Sequence, residues 1–136
     1  MRTALATKLN SIPGVAANVT GVFVMPLPQN AVPPYIVMNL IASNQRTTLG
    51  GPTSVFRDLW QVDIYAESHS TADTIRDAIL DTTTGLQTRG PATWSGKAVA
   101  LCVLDDSRDI IVKGATARTG VATVRKSMDF VIVYTK

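Results

Sequence analysis

Two periodicities run along this chain. Over residues 55–66, Trp60, Val62, Ile64 and Ala66 share one face while Gln61, Asp63 and Tyr65 share the other. A repeat of two predicts a strand with one buried face. Residues 125–134 repeat the pattern, with Met128, Phe130, Ile132 and Tyr134 inward and Ser127 and Asp129 on the wet side. Residues 35–42 are apolar on both faces except at Asn39, which predicts a strand central in its sheet. Residues 97–104 predict one more strand. Helical spacing appears twice. Ala4, Leu5, Leu9 and Ile12 predict a helix over 2–12, with Thr3 placed to cap its start and Pro13-Gly14 to end it. Ala72, Ile75, Ala78 and Ile79 form the apolar stripe of a second helix. Ser70 and Asp73 open it as a capping-box variant, and Gly85 closes it after Thr83 or Thr84.

Between these elements the pattern predicts loops. Residues 22–24 read as a short extended piece, 43–53 as a polar loop, and 85–96 as an irregular Gly- and Pro-bearing connection. Asp105-Asp106-Ser107-Arg108-Asp109 reads as a charged turn opening a connection of about 20 residues. In it, Ile110-Ile111-Val112 pairs briefly before a Gly- and Thr-rich piece over 114–120. The order α-β-β-α-β-β predicts an α+β fold: a mainly antiparallel four-stranded sheet with two helices packed on one face and long loops. The 136 residues suit one domain, 1–136.

Composition narrows the chemistry more than the fold. With 46% hydrophobic and 17% charged residues the chain is of the folded class. It lacks an apolar run long enough to span a membrane and the apolar core of a signal peptide, so a soluble protein of a reducing compartment is expected. The single cysteine, Cys102, forms no intrachain disulfide and reads as a small core residue. The single histidine, His69, excludes every two-histidine metal motif and reads as a solvated residue before a helix.

Gly90 to Lys97 resembles a phosphate loop only in outline. Five residues separate its glycines where four are required, and Ala98 stands where Ser or Thr must be. The 105–109 run fails as a calcium loop, because Ile110 occupies the glycine position and Thr116 the closing glutamate. Asn18-Val19-Thr20 matches a glycosylation acceptor, a chance match without a secretion signal. No cofactor, metal site or catalytic residue is expected.

The formal charge of +3 is unevenly spread. Residues 1–52 carry three basic residues and no acid, 53–88 carry six acids against two basic residues, and 89–136 carry eight basic residues against four acids. The acid-free stretch from Lys113 to Lys126 is either a solvated loop and strand edge or half of a two-sided surface that meets an acidic patch on a neighbour.

The order of features resembles a known family. The first helix leads through Met25-Pro26-Leu27-Pro28 to Pro33-Pro34-Tyr35-Ile36-Val37. A polar loop, Trp60-Gln61-Val62-Asp63-Ile64-Tyr65-Ala66, the 70–84 helix and Met128-Asp129-Phe130-Val131-Ile132-Val133-Tyr134 follow. Over nearly the whole chain this resembles the tail-completion, or tail-terminator, proteins of long-tailed bacteriophages and prophages. The resemblance implies a non-enzymatic virion protein, made in the host bacterial cytoplasm and placed at the tail–head junction. It would form a homo-oligomeric ring, usually a hexamer, on the major tail tube protein, end tube polymerisation and offer a surface to the head–tail connector. DNA would pass through the lumen without specific binding, and no membrane is involved. The assembly contacts expected from loop position and charge are Arg46, Thr48, Leu49, Arg108, Lys113 and Arg118.

Other readings compete. A head-side connector or neck ring shares the ring habit. A small nucleic-acid-contacting module would use the Lys113–Lys126 stretch. An enzyme would need carboxylates of the helix and the 105–109 turn to converge in one pocket.

Overall fold

The computed structural model describes residues 1–25, 28–111 and 124–136. Helices α1 (Arg2–Ser11) and α2 (Pro13–Ala16) precede strands β1 (Val22–Val24), β2 (Tyr35–Thr48) and β3 (Gly51–Ala66). Helix α3 (His69–Leu80) and strands β4 (Thr88–Trp94), β5 (Lys97–Ile111) and β6 (Val124–Thr135) follow. The strands form one sheet in the order β1-β2-β3-β6-β5-β4. Every pairing is antiparallel except β1 with β2, which is parallel.

This overturns the expected four-stranded antiparallel sheet with two helices. The chain is mostly sheet: six strands in a mixed sheet, with three short helices. Each difference has a local cause. Pro13 starts a helix as well as ending one, since its missing N–H falls where a first turn has no acceptor to offer. Strand β4 hides behind Gly90 and Pro91, which occupy a register shift between Arg89 and Ala92. The 43–53 loop is the outer part of the β2–β3 hairpin, closed by a tight turn at residues 49–50. The 105–109 turn is a continuation of β5 past a register shift between Leu104 and Asp106.

The core lies where the helices meet the sheet. Leu5, Leu9 and Ile12 pack in one cluster with Ala72, Ile75 and Ile79 of α3 and with Ile36, Met38, Trp60, Val62, Ile64, Met128, Phe130 and Ile132 of the strands. Burying each large side chain contributes about 1.5–3 kcal/mol. Helix α2 crosses α3 closely enough that a Cβ on Gly14 would lie 2.6 Å from the Ala78 Cβ, so only glycine fits there.

The helix ends differ from expectation. Met1 is the N-cap of α1, and no side chain caps it, Thr3 included. Ser68, not Ser70, caps α3, its Oγ accepting from the Thr71 amide at 3.2 Å. The helix stops at Leu80. The Asp81 carboxylate then accepts from the Thr83 and Thr84 amides, both at 2.8 Å, which holds its pKa below the usual range. Gly85 follows in a backbone turn, where a Cβ would run into the Asp81 and Ile79 carbonyls.

The far face of the sheet carries a polar network. Asp63, almost fully buried, meets Arg125 Nη2 at 2.8 Å and accepts from Ser127 Oγ at 2.6 Å and from the Gln61 amide. Ser127 is therefore buried rather than wet. Arg125 also lies over the Tyr65 ring, which stacks on Tyr35.

Candidate assembly surface

The described residues contain no group of three His, Cys, Asp or Glu side chains placed to hold a metal. His69 is exposed at the first residue of α3. Cys102 is fully buried, and burial pushes its thiol up to about 12, far from a reactive thiolate. The Gly90 to Lys97 segment is the end of β4 and a two-residue turn, Ser95-Gly96, both at positive φ, into β5. It is a hairpin connection and aims no helix at a phosphate.

Carboxylates of α3 and β5 do approach each other, but around a cation. Lys126, 8% exposed, reaches Asp73 at 2.5 Å and Asp109 at 3.0 Å. Burial opposes its charge, yet its hydrogen bonds to the two carboxylates, together with their charges, outweigh burial and raise its pKa. The bond from Lys126 likewise lowers the Asp73 pKa. This triad ties α3 to β5 and β6; its charges are spent on each other. Of the four basic residues from 113 to 126, Arg125 and Lys126 are thus ion-paired, and Lys113 and Arg118 lie outside the described residues.

The expected contact residues divide. Arg46 and Thr48 come together with Leu49 at the end of the β2–β3 hairpin. Leu49 is wholly exposed. The arm braces itself: Gln45 donates to the Thr53 carbonyl at 2.7 Å, Thr53 Oγ1 to the Arg46 carbonyl at 2.8 Å, and Thr48 Oγ1 to the Gly51 carbonyl at 3.2 Å. Arg108 is elsewhere and is not on a free loop. It stands in β5 and is held by Asp129 and Asp106, both at 2.8 Å, which raises its pKa.

The pairing scheme shows what the sequence did not. β1 covers only Ile36, Val37 and Met38 of β2. From 39 to 48, among the described residues, β2 has a strand on one side only. On the opposite side of the sheet β4 covers β5 from Lys97 to Cys102. From 103 to 111, among the described residues, β5 has only β6 beside it, apart from the Leu104 amide, which donates to the Gln87 side chain. The sheet thus has two open half-edges, diagonally opposed. The exposed large apolar residues, Met25, Val32, Leu40, Ile41 and Leu49, all fall on the β1–β2 side. The β2 half-edge carries Arg46 and no acid; the β5 half-edge carries Asp105, Asp106 and Asp109 with Arg108.

Two sheet edges without a neighbouring strand and carboxylates held in ion pairs are what stands out among the described residues. The profile of the tail completion protein gp17 family matches residues 3–129, and the chain belongs to that family. It is a structural protein of a phage-type tail, a virion component that assembles with other virion proteins. Among solved structures, a chain of the virion of a native gene transfer agent (GTA) particle superposes with a TM-score of 0.75 at 14% identity, covering 100% of this chain and 95% of that one. At that identity the likeness is one of fold. No curated protein sequence matches.

Proposed function

We propose that this chain assembles into a closed ring, a hexamer, on the finished tail tube, where it stops further tube subunits from adding and offers the surface that joins tail to head. Membership of the tail completion family carries the reading. Two features are compatible with it. A ring needs a heterologous contact, one patch meeting a different patch of the next copy. The two half-edges are such patches, unlike in charge and on opposite sides of the sheet. The β2–β3 arm, with Arg46, Thr48 and Leu49 at its end, reaches past the last β3–β6 pair at Val55 and Thr135 toward a neighbour.

Light scattering on a sizing column tests the ring. Six times 14.5 kDa, about 87 kDa, is the expected mass. Adding the protein to polymerising tube subunits tests the role: tubes stop growing and bind the protein at one end. Binding to heads and not to tubes would overturn the terminator reading in favour of a head-side connector ring.

A further inference from the structure

We infer that neighbouring copies join by strand pairing, the open half-edge of β2 in one copy lying against the open half-edge of β5 in the next, so that the sheet runs on from copy to copy. The inference deepens the ring reading and rests on it for closure.

Folded proteins ordinarily blunt their sheet edges with short strands, prolines, bulges or charge. Two edges here are blunted in that way: β1 is three residues long, and β4 carries Pro91 and a bulge. The half-edges at 39–48 and 103–111 are long, of nearly equal length and free of proline; each carries register shifts, at Leu40/Ala42 and Gln45/Thr47 in the first and at Leu104/Asp106 in the second, and the second also carries charge. The first exposes the adjacent apolar residues Leu40 and Ile41, 37% and 48%.

Direction fits. β2 is antiparallel to β3, β3 to β6, and β6 to β5, so β2 and β5 run oppositely within one copy. Copies related by a rotation that keeps their strands in roughly the same sense meet in antiparallel pairing, the mode that dominates this sheet.

Level fits as well. Asn44 lies level with Arg57, Val133 and Leu101 across the sheet. In the next copy the matching open stretch is centred near Ser107. Ser43, bonded to Asp58, lies on the helix side of the sheet, and so does Ser107, which Arg76 of α3 reaches; Asn44 and Asp106 lie on the far side. Matching pleats therefore set Ser43 opposite Ser107 and Asn44 opposite Asp106. Measured along β6 from Val133 to Asp129, that is a shift of about four residues, about 14 Å, across four shared strands, about 19 Å wide. The resulting tilt of about 35° lies at the low end of the 35–45° of strands in closed barrels. In this register residues 39 to 47 face the open stretch of β5, and Thr48 meets Cys102, where the pairing with Thr88 of β4 begins.

Charge fits the same register. Arg46 comes opposite Leu104, one position from Asp105, and neither Arg46 nor Asp105 has an ion-pair partner among the described residues. The acids of one half-edge meet the acid-free arm of the next, which sets both partner and register.

Cross-linking between chains that each carry one added cysteine tests this. Asn44→Cys and Asp105→Cys place thiols on exposed positions, while the buried Cys102 stays unreactive. A short bis-maleimide is expected to join the two variants when they are mixed and to leave each alone unjoined. A chain carrying both changes is expected to give a ladder that ends at the ring number. The reaction is run on the free chain and on chain bound to purified tail tubes, with thermal melts to show that the variants fold. Joining of Asn44→Cys to itself overturns the inference in favour of a symmetric dimer edge. No mixed product in either setting overturns it too. The ring reading fails separately, on mass and tube binding: a ring of the expected mass without mixed product keeps the ring and removes the strand pairing.

Discussion

The inner strands and the outer half-edges of this sheet have one backbone conformation and opposite chemistry. β3 and β6 pair with each other over twelve residues from Val55 to Ala66, and Trp60, Val62, Ile64, Met128, Phe130 and Ile132 are all at most 2% exposed. Residues 39–48 and 103–111 are equally extended, yet nearly every side chain in the first stretch is exposed and the second is half charged. A strand with ladders on both sides and a helix above it stabilises the fold by burial. A strand with one ladder and water on its other side adds little to the single copy. What it holds in reserve is a row of backbone donors and acceptors for another chain. On the proposed pairing, stability and assembly occupy different parts of the same sheet, and substitutions can separate them.

The largest loss is expected at the centre. Phe130→Ala empties a fully buried site between α3 and the sheet and should cost about 3–5 kcal/mol, read as a fall in the urea midpoint. Asp63→Ala comes next. It strips Arg125 of its carboxylate and leaves buried Ser127 without an acceptor, for about 1–3 kcal/mol, the guanidinium being partly open to solvent. Either variant that still folds should assemble normally, since neither residue lies on a half-edge.

A pH titration sharpens the same contrast, because the groups it reads, Tyr134 and Cys102, are buried while the arm is exposed. Burial first, then the charge of Asp58 and a hydrogen bond to it, push the Tyr134 phenol from 10.0 up to about 12. Burial pushes the Cys102 thiol from 9.0 to about 12. Both groups hold their protons more tightly folded than unfolded. Their contribution is therefore complete below the unfolded values and is lost as pH rises through the folded ones. Stability should fall between about pH 9 and 12. Tyr134→Phe should remove the phenol's share of that slope and leave the thiol's.

Smaller still is the cap of α3. Ser68→Ala removes the acceptor of the Thr71 amide and should cost about 1 kcal/mol by thermal melting. Ser70→Ala should cost less, because the Ser70 side chain caps nothing.

The same division explains what was legible in the sequence. The alternation at 55–66 and 125–134 was plain because each strand has one face against the helices. The outer ends of β2 and β5 read as a loop and a turn because polar, uncovered residues carry no period, and a half-edge awaiting a partner looks like a loop. β4 escaped because Gly90 and Pro91, which break a central strand, are tolerated at an edge bulge. With β1 reading only as a short extended piece over 22–24, six strands read as four. Of the expected contacts, Arg46, Thr48 and Leu49 were placed together by the hairpin that their polarity had concealed. Arg108 carries the right charge, but Asp106 and Asp129 already hold it, and no spacing rule announces a cross-strand pair 21 residues apart.

The smallest effect on the fold should be the largest on assembly. Arg46→Glu changes an exposed side chain that makes no ion pair, and its cost to the single copy should stay within about 0.5 kcal/mol. Between copies it sets a carboxylate one position from Asp105. The ring should then weaken at low salt and partly recover at high salt, where like-charge repulsion is screened. Asp105→Arg alone should do the same from the other side, and the two changes together should restore the ring, because the pair is rebuilt with its signs exchanged. Arg46→Glu with an unchanged ring at low salt would place this arm outside the contact between copies. Recovery of the double variant, with neither single variant melting early, would locate the assembly energy at an edge that the fold itself does not need.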